Sequence, residues 1–176
     1  MHRLFVAIRP PESVLDLLID TMEGLPSLRW QDEDQLHLTL RFIGEVDRPL
    51  GEDLAAALTA LHVEGFTIRI SGVGRFDHQR RGALWAGVEP RDKLAALAAK
   101  VERACVGVGL PPERRAFHPH ITLARLKPTS GTVRNLLELA GGLSSPPFRI
   151  DDFALFESKL TPDGAVYTVV ESYPLD

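Results

Sequence analysis

The sequence predicts one domain, residues 1–176, made of two similar lobes that each combine β-strands with α-helices. Short β-like runs alternate with helical patterns along the whole chain, and no Ser-, Gly- or Pro-rich stretch is long enough to form a free linker. A short string also recurs, His-Leu-Thr-Leu at 37–40 and His-Ile-Thr-Leu at 120–123, nearly half the chain apart. Two copies in matched contexts indicate a duplication whose lobes are related by a pseudo-twofold axis.

Composition and charge exclude several classes of protein. The chain has 176 residues, 44% hydrophobic and 25% charged, which is typical of a globular protein with a substantial core. The net charge of −4 excludes a broadly basic nucleic-acid-binding surface but leaves local basic patches open. The single cysteine, Cys105, excludes an intramolecular disulfide and favours a reducing compartment. The apolar run at 4–8 is too short for a signal peptide or a membrane span, so we expect a cytoplasmic protein.

The first half of the chain has the pattern strand, helix, strand, helix. Residues 4–8 predict a strand, and Pro10 and Pro11 open a helix that Gly24 ends. Residues 36–43 alternate as a strand does, which puts Leu36, Leu38, Leu40 and Phe42 on the core face. A second helix is marked by leucines at 50, 54, 58 and 61.

The second half repeats the alternation and adds a closing hairpin. Residues 66–70 and 83–88 predict strands joined by a Gly- and Arg-rich loop that includes Gly72 and Gly74. A third helix follows at 94–101, then a strand at 118–124, and a fourth helix is marked by Val133, Leu136, Leu137 and Ala140. Residues 148–157 and 165–171 predict a hairpin around the turn Asp163-Gly164.

The repeated string places a histidine and a threonine on one face of each strand, because side chains alternate along a strand. If the lobes pack about a pseudo-twofold axis, His37 and Thr39 face the same cleft as His120 and Thr122. Imidazole titrates near ~6.5, so one ring can accept a proton while the other donates one. Hydroxyl groups can bind phosphate oxygens. A merely solvated strand face would explain one copy, but it does not explain the same polar pair twice.

Two further features lie beside the second string. Arg125 follows it directly, and a guanidinium can bind a phosphate through two hydrogen bonds. His118 and His120 share a face, which is compatible with part of a metal site, but no Asp or Glu cluster accompanies them. We therefore expect no metal, and a structural role for His118 at the entrance of the strand.

The two His-x-Thr strings and several further sequence blocks resemble those of the bacterial and archaeal RNA 2′,3′-cyclic phosphodiesterases. These proteins belong to the 2H phosphoesterase superfamily and are also known as 2′-5′ RNA ligase-like proteins. The resemblance spans nearly the whole chain and is carried by the blocks at 3–8, 37–45, 84–88, 117–125, 167–170 and 173–175. It implies a bilobal α+β fold with antiparallel sheets lining a central cleft and helices outside. It also implies metal-independent hydrolysis of an RNA 2′,3′-cyclic phosphate end to a 2′-phosphate, with 2′-5′ ligation as a reverse use of the site.

The same resemblance implies roles for individual residues. His37 would protonate the leaving ribose O3′, and His120 would activate the attacking water. Thr39 and Thr122 would hold the phosphate oxygens, and Arg125 would help to bind the phosphate. It implies RNA as the substrate, with no cofactor, no membrane and no obligatory protein partner.

Two other functions stay open at this point. One is cleavage of a cyclic phosphate on a small nucleotide, such as a cyclic ADP-ribose phosphate, with the RNA chain irrelevant. An RNA substrate would instead use the Arg-rich loop at 75–81 and show salt-dependent affinity. The other is a non-catalytic module that binds RNA ends or nucleotides, against which the two intact histidines argue.

Overall fold

In the part of the chain that the structure describes, three amphipathic helices and nine strands with defined bounds form where the apolar periodicity favours them. The computed structural model describes residues 1–23, 29–78, 81–126, 137–138 and 140–176. The helices are α1 (Glu12–Glu23), α2 (Arg48–Thr59) and α3 (Asp92–Gly107), as predicted. Each buries one apolar face, and Asp47 caps α2 by accepting a hydrogen bond of 3.0 Å from the Leu50 amide. Of the predicted fourth helix, Leu137 and Ala140 are described, whereas Val133 and Leu136, like Gly24, lie outside the described residues.

All strand pairs are antiparallel. The strands are β1 (His2–Ile8), β2 (Arg29–Trp30), β3 (Leu38–Val46), β4 (Phe66–His78), β5 (Arg81–Glu89), β6 (His120–Leu126), β7 (Phe148–Ile150), β8 (Asp152–Thr161) and β9 (Gly164–Pro174). Their order is β7-β4-β5-β6-β3-β1-β8-β9, with β2 paired to β6 beside this path. The predicted closing hairpin is confirmed, with Gly164 in its turn at a φ of 121°.

The strand order divides into two equal lobes at the junction of β3 and β6. The first lobe is β3-β1-β8-β9 and the second is β6-β5-β4-β7. Between β3 and β6, where the two lobes meet, the described residues form one register pair, Leu38 with Ile121. The bilobal antiparallel α+β fold is therefore confirmed. The first lobe nevertheless combines the first strands of the sequence with β8 and β9, so the lobes are not simply the two halves of the sequence.

One buried apolar cluster joins the lobes. It runs from Leu4 and Val6 of β1 through Leu38 and Ile121 to Leu97 of α3. Burial on this scale is the main source of stability for a domain of this size. Among the described helices none is long and apolar enough to cross a membrane.

The prediction of a loop at Gly72 and Gly74 is wrong. Both glycines lie within β4, and a shift of register between Ile70 and Val73 marks an irregularity there. Gly72 adopts a φ of 73°, a left-handed conformation that glycine takes without strain, so the strand continues through it. Arg75 consequently lies on β4 opposite Leu84, while Arg80 falls outside the described residues.

The prediction that Phe42 faces the core is also wrong. Leu36, Leu38 and Leu40 are buried as expected, but Phe42 is 43% exposed and Arg41 is buried in its place. The pairing of β1 with β3 shifts register between Val6 and Ala7, where Val6 meets Arg41 and Ala7 meets Thr39. Leu40 has no partner in β1 at this irregularity. After Leu40, the residues of β3 that would otherwise face solvent therefore face the core, and the reverse.

Candidate active site

The junction of the two lobes brings the two His-x-Thr strings together. Leu38 pairs with Ile121, so the same antiparallel register sets His37 opposite Thr122 and Thr39 opposite His120. Residues opposite each other in an antiparallel pair point to the same face. Leu38 and Ile121 are each 1% exposed on the core side, and the four motif residues are partly exposed on the other.

Each histidine ring is held by its own backbone in the same way. Nδ1 of His37 donates to the Gln35 carbonyl at 2.7 Å, and Nδ1 of His120 donates to the His118 carbonyl at 2.6 Å. A neutral imidazole that donates from Nδ1 keeps Nε2 as its basic nitrogen. The two lobes therefore present the same nitrogen of both rings for proton transfer.

Aromatic side chains surround both imidazoles. The His37 ring lies 4.9 Å from Phe5 and 5.3 Å from Tyr167, centroid to centroid. The His120 ring lies 4.9 Å from Phe76 and 6.0 Å from Trp85. Such packing fixes the ring planes and removes water from around the rings.

Burial lowers the pKa of both histidines. Loss of hydration is the largest cause at His37, and together with the nearby charges of His120, Arg125 and Arg9 it lowers the His37 pKa to about 4. Burial is also the largest cause at His120, whose pKa is lowered further by His118. Both rings are therefore neutral near pH 7 in the free protein.

Arg125 lies on the face that carries the motif residues. The register of β5 with β6 shifts between Leu84 and Trp85, so Ala124 and Leu126 pack into a buried cluster with Leu84. Arg125 between them is exposed on the opposite side. Its charge contributes to the lowered pKa of His37, so its field reaches the first histidine from the second lobe.

Sequence reasoning missed two residues that act on His37. Arg9 lies opposite His37 in the register that pairs Ile8 with Leu38, and its charge lowers the His37 pKa. Gln35 supplies the carbonyl that binds His37, and its side-chain amide donates to the Ala165 carbonyl of β9 at 3.0 Å. The relation of Arg9 to His37 and the bond from Gln35 to Ala165 depend on the pairing of distant strands. The Gln35 carbonyl contact is local, and Gln35 and His118 share the position two residues before a motif histidine.

His118 contributes to the site through packing and through its carbonyl. Its ring lies 4.9 Å from Trp85 and 5.2 Å from Phe76, in the aromatic group around His120. These contacts are compatible with the structural role that we expect for His118 at the strand entrance. No group of three potential metal ligands occurs among the described residues.

A cavity of about 670 Å³ opens beside the motif residues, where β3 and the segment before β6 separate. Thr39, His120 and Arg125 line one part of it, and Ala95, Ala98 and Ala99 of α3 line another. Ligand pockets in proteins are typically roughly 300–1,000 Å³. The space is therefore adequate for a nucleotide next to His120, whereas His37 and Thr122 are not among the residues that line it.

A buried arginine holds the walls of this cavity together. Arg41 donates from Nε to Glu102 of α3 at 2.6 Å and from Nη2 to the Pro111 carbonyl at 2.6 Å. The other Glu102 oxygen accepts from the Glu113 amide at 2.9 Å. One ionic group thus joins β3, α3 and the segment that leads to His120. Arg41 is the largest cause that lowers the Glu102 pKa, against the opposing effect of burial.

Comparison with known proteins agrees with this geometry. The model of the 2′-5′ RNA ligase superfamily matches residues 10–161. An RNA 2′,3′-cyclic phosphodiesterase of Thermus thermophilus is 36% identical over 184 residues, covering 98% of this chain and 90% of that protein. Its counterpart in Aeropyrum pernix is 34% identical over 148 residues, covering 82% and 84%.

Solved structures give the same result for the fold. Escherichia coli LigT complexed with 3′-AMP has a TM-score of 0.83 at 26% identity, covering 99% of this chain and 98% of that chain. TT0787 of Thermus thermophilus has a TM-score of 0.80 at 28% identity, covering 98% and 97%. With a family match over most of its length and relatives more than 30% identical, this chain belongs to the 2′-5′ RNA ligase superfamily of 2H phosphoesterases.

Proposed function

We propose that this protein is an RNA 2′,3′-cyclic phosphodiesterase that opens cyclic phosphate ends to 2′-phosphate ends. The observation that carries the proposal is the matched pair of imidazoles, each with Nδ1 bound to a backbone carbonyl and Nε2 kept for proton transfer. The names of the relatives support the same activity. The substrate is RNA, and we expect the protein in the cytoplasm because its one cysteine, Cys105, is a buried free thiol.

The reaction needs one proton removed and one supplied. Nε2 of His120 accepts a proton from water as the water oxygen bonds to phosphorus. The bond from phosphorus to O3′ breaks, and Nε2 of protonated His37 donates its proton to O3′. The products are a 2′-phosphomonoester and a free 3′-hydroxyl. Water and O3′ must lie on opposite sides of phosphorus, and the placement of one histidine on each lobe supports this in-line arrangement.

Thr39 and Thr122 hold the non-bridging oxygens of the phosphate, and Arg125 adds a positive charge beside them. The negative charge of the cyclic phosphate raises the pKa of both imidazoles when it binds. His37 thereby gains the proton that burial withholds from it in the free protein. Proton transfer by two imidazoles requires no metal ion. If the roles of the histidines are exchanged, the same pair can join RNA ends through a 2′-5′ linkage.

The test is incubation of the purified protein with an RNA oligonucleotide that ends in 2′,3′-cyclic phosphate, in excess EDTA. Phosphorus NMR should show a 2′-phosphate product, because the resemblance to RNA 2′,3′-cyclic phosphodiesterases implies that O3′ leaves on the side of His37. A predominantly 3′-phosphate product would reverse the orientation of the ribose and remove the basis for His37 as the acid. Loss of activity in EDTA that a divalent metal restores would contradict the two-histidine mechanism.

A further inference from the structure

Two arginines lie side by side on the face of the sheet that carries the motif residues. Arg29 of β2 and Arg125 of β6 are register partners in an antiparallel pair, and both are exposed. Their Cβ atoms are therefore about 5 Å apart on the same face. Like charges in this position repel each other and destabilise the strand pair.

The repulsion between these two arginines is not neutralised by a carboxylate in the described part of the chain. Several other arginines do have such a partner there: Arg48 with Glu52 at 2.9 Å, Arg149 with Asp151 at 2.8 Å and Arg41 with Glu102 at 2.6 Å. The chain as a whole is acidic, with a net charge of −4. An exposed pair of like positive charges in this place is the arrangement expected where an anion binds.

The position of the pair indicates which anion it would bind. Arg125 follows Thr122 by three positions on β6, which is at most about 10 Å along the strand because the register shift at this point leaves one residue of β6 unpaired. Arg29 lies opposite Arg125 on the neighbouring strand, β2. A hydrogen bond of 2.8 Å from the Gln31 amide to the Leu123 carbonyl continues the pairing of β2 with β6. Arg29 therefore lies further than Arg125 from Thr122.

We propose that Arg29 binds the phosphodiester on the 5′ side of the terminal nucleotide, so that the enzyme prefers an RNA chain to a mononucleotide. This inference rests on the proposed function. A guanidinium stays charged at all relevant pH values and binds phosphate oxygens through two hydrogen bonds. The negative charge of that phosphodiester offsets the repulsion between Arg29 and Arg125, while Arg125 itself remains with the reacting phosphate.

The first experiment compares two substrates with Arg29→Gln. Adenosine 2′,3′-cyclic phosphate has no neighbouring phosphodiester, whereas a trinucleotide with the same cyclic end has one. The ratio of kcat/KM for the trinucleotide to kcat/KM for the mononucleotide should fall about tenfold in the variant. The matched control is Arg103→Gln, an exposed arginine of α3, whose ratio should equal that of the wild type.

The second experiment removes the charge from the substrate instead. A trinucleotide with a neutral methylphosphonate at its last internucleotide linkage should be cleaved by the wild type with about tenfold lower kcat/KM. Arg29→Gln should not distinguish the two trinucleotides, because the interaction is already absent. Arg29→Lys should recover part of the preference, since it keeps the charge and loses the bidentate geometry.

An unchanged substrate ratio in Arg29→Gln would overturn the inference, and so would equal losses on both substrates. A wild type that cleaves the mononucleotide as well as the trinucleotide would also overturn it and would favour a small-nucleotide substrate. A wild type inactive on both substrates would overturn the proposed function itself, and this inference with it.

Discussion

At the residue scale, replacement of either motif histidine by alanine should cost activity much more than stability. In the proposed mechanism each ring carries one proton transfer, and loss of such a group typically lowers the rate by ~10² to 10⁴. His37→Ala and His120→Ala should therefore lower kcat by that factor on a cyclic-phosphate oligonucleotide. The matched control is His62→Ala, because the His62 side chain is 84% exposed and its charged neighbour is Asp176, which belongs to neither string.

Thermal unfolding shows whether each variant is folded. A folded His37→Ala or His120→Ala protein with nearly wild-type kcat would exclude the two-histidine mechanism.

The pH dependence of the two histidines should differ between the free enzyme and the substrate complex. The profile of kcat/KM reports groups of the free enzyme, in which burial lowers the pKa of His37 to about 4 and also lowers that of His120. Its optimum should therefore lie below pH ~6.5, the ordinary value for imidazole. The profile of kcat reports the complex, in which the phosphate charge raises both pKa values.

We therefore expect the optimum of kcat at a higher pH than that of kcat/KM, measured on one oligonucleotide at constant ionic strength. Because the two imidazoles interact, the apparent pKa values on the acidic and basic sides of each profile describe the pair of rings and not one histidine each. Coincident optima above pH ~6.5 would mean that the imidazoles titrate as exposed histidines do, against the burial described here.

At the scale of the elements, the Arg41 group should be a major source of local stability. Arg41→Met leaves the Glu102 carboxylate unpaired and two backbone carbonyls without their donor. The free energy of unfolding in urea should fall by about 3 kcal/mol. Adding Glu102→Gln should recover part of this loss, because it removes the unpaired charge.

The control for this prediction is Arg48→Met. Arg48 pairs with Glu52 one turn along α2, and both side chains are well exposed, at 81% and 66%. An exposed pair of this kind contributes about 0.5 kcal/mol or less. Equal losses for Arg41→Met and Arg48→Met would mean that burial adds nothing to the Arg41 interaction.

The sequence predicts the elements better than it predicts their pairing. Helices α1, α2 and α3 follow from apolar spacing, which is a local property. The burial of Arg41 and exposure of Phe42 depend on a register shift between β1 and β3, two strands that lie far apart in the sequence. The same holds for β2, a two-residue strand that forms only because β6 is beside it.

The site residues show the same division. Both histidines and both threonines stand out in the sequence because the string repeats. Arg9 and Arg29 belong to no repeated string, and their relation to the site depends on which strands pair. Gln35 contacts His37 locally through its carbonyl, but it also stands outside the repeated string.

At the scale of the whole molecule, the two lobes should unfold together. The buried cluster that contains Leu38 and Ile121 extends through both lobes. Calorimetry should therefore show one transition, with equal calorimetric and van't Hoff enthalpies. Leu38→Ala truncates a side chain that is 1% exposed at the junction. It should lower the stability by roughly 2–5 kcal/mol without splitting the transition. Two resolved transitions would mean that the lobes are energetically independent.

The interleaved order of the strands has a consequence for synthesis on the ribosome. Strands β4, β5 and β6, which surround His120, follow one another within residues 66–126. The surroundings of His37 include Tyr167 and, through Gln35, the Ala165 carbonyl, both on β9. Chains emerge with their N-terminal residues first. A nascent or prematurely terminated chain that stops before Gly164 therefore contains both histidines but lacks the contacts that β9 makes around His37. We expect cleavage of RNA ends to begin only after β9 has left the ribosome.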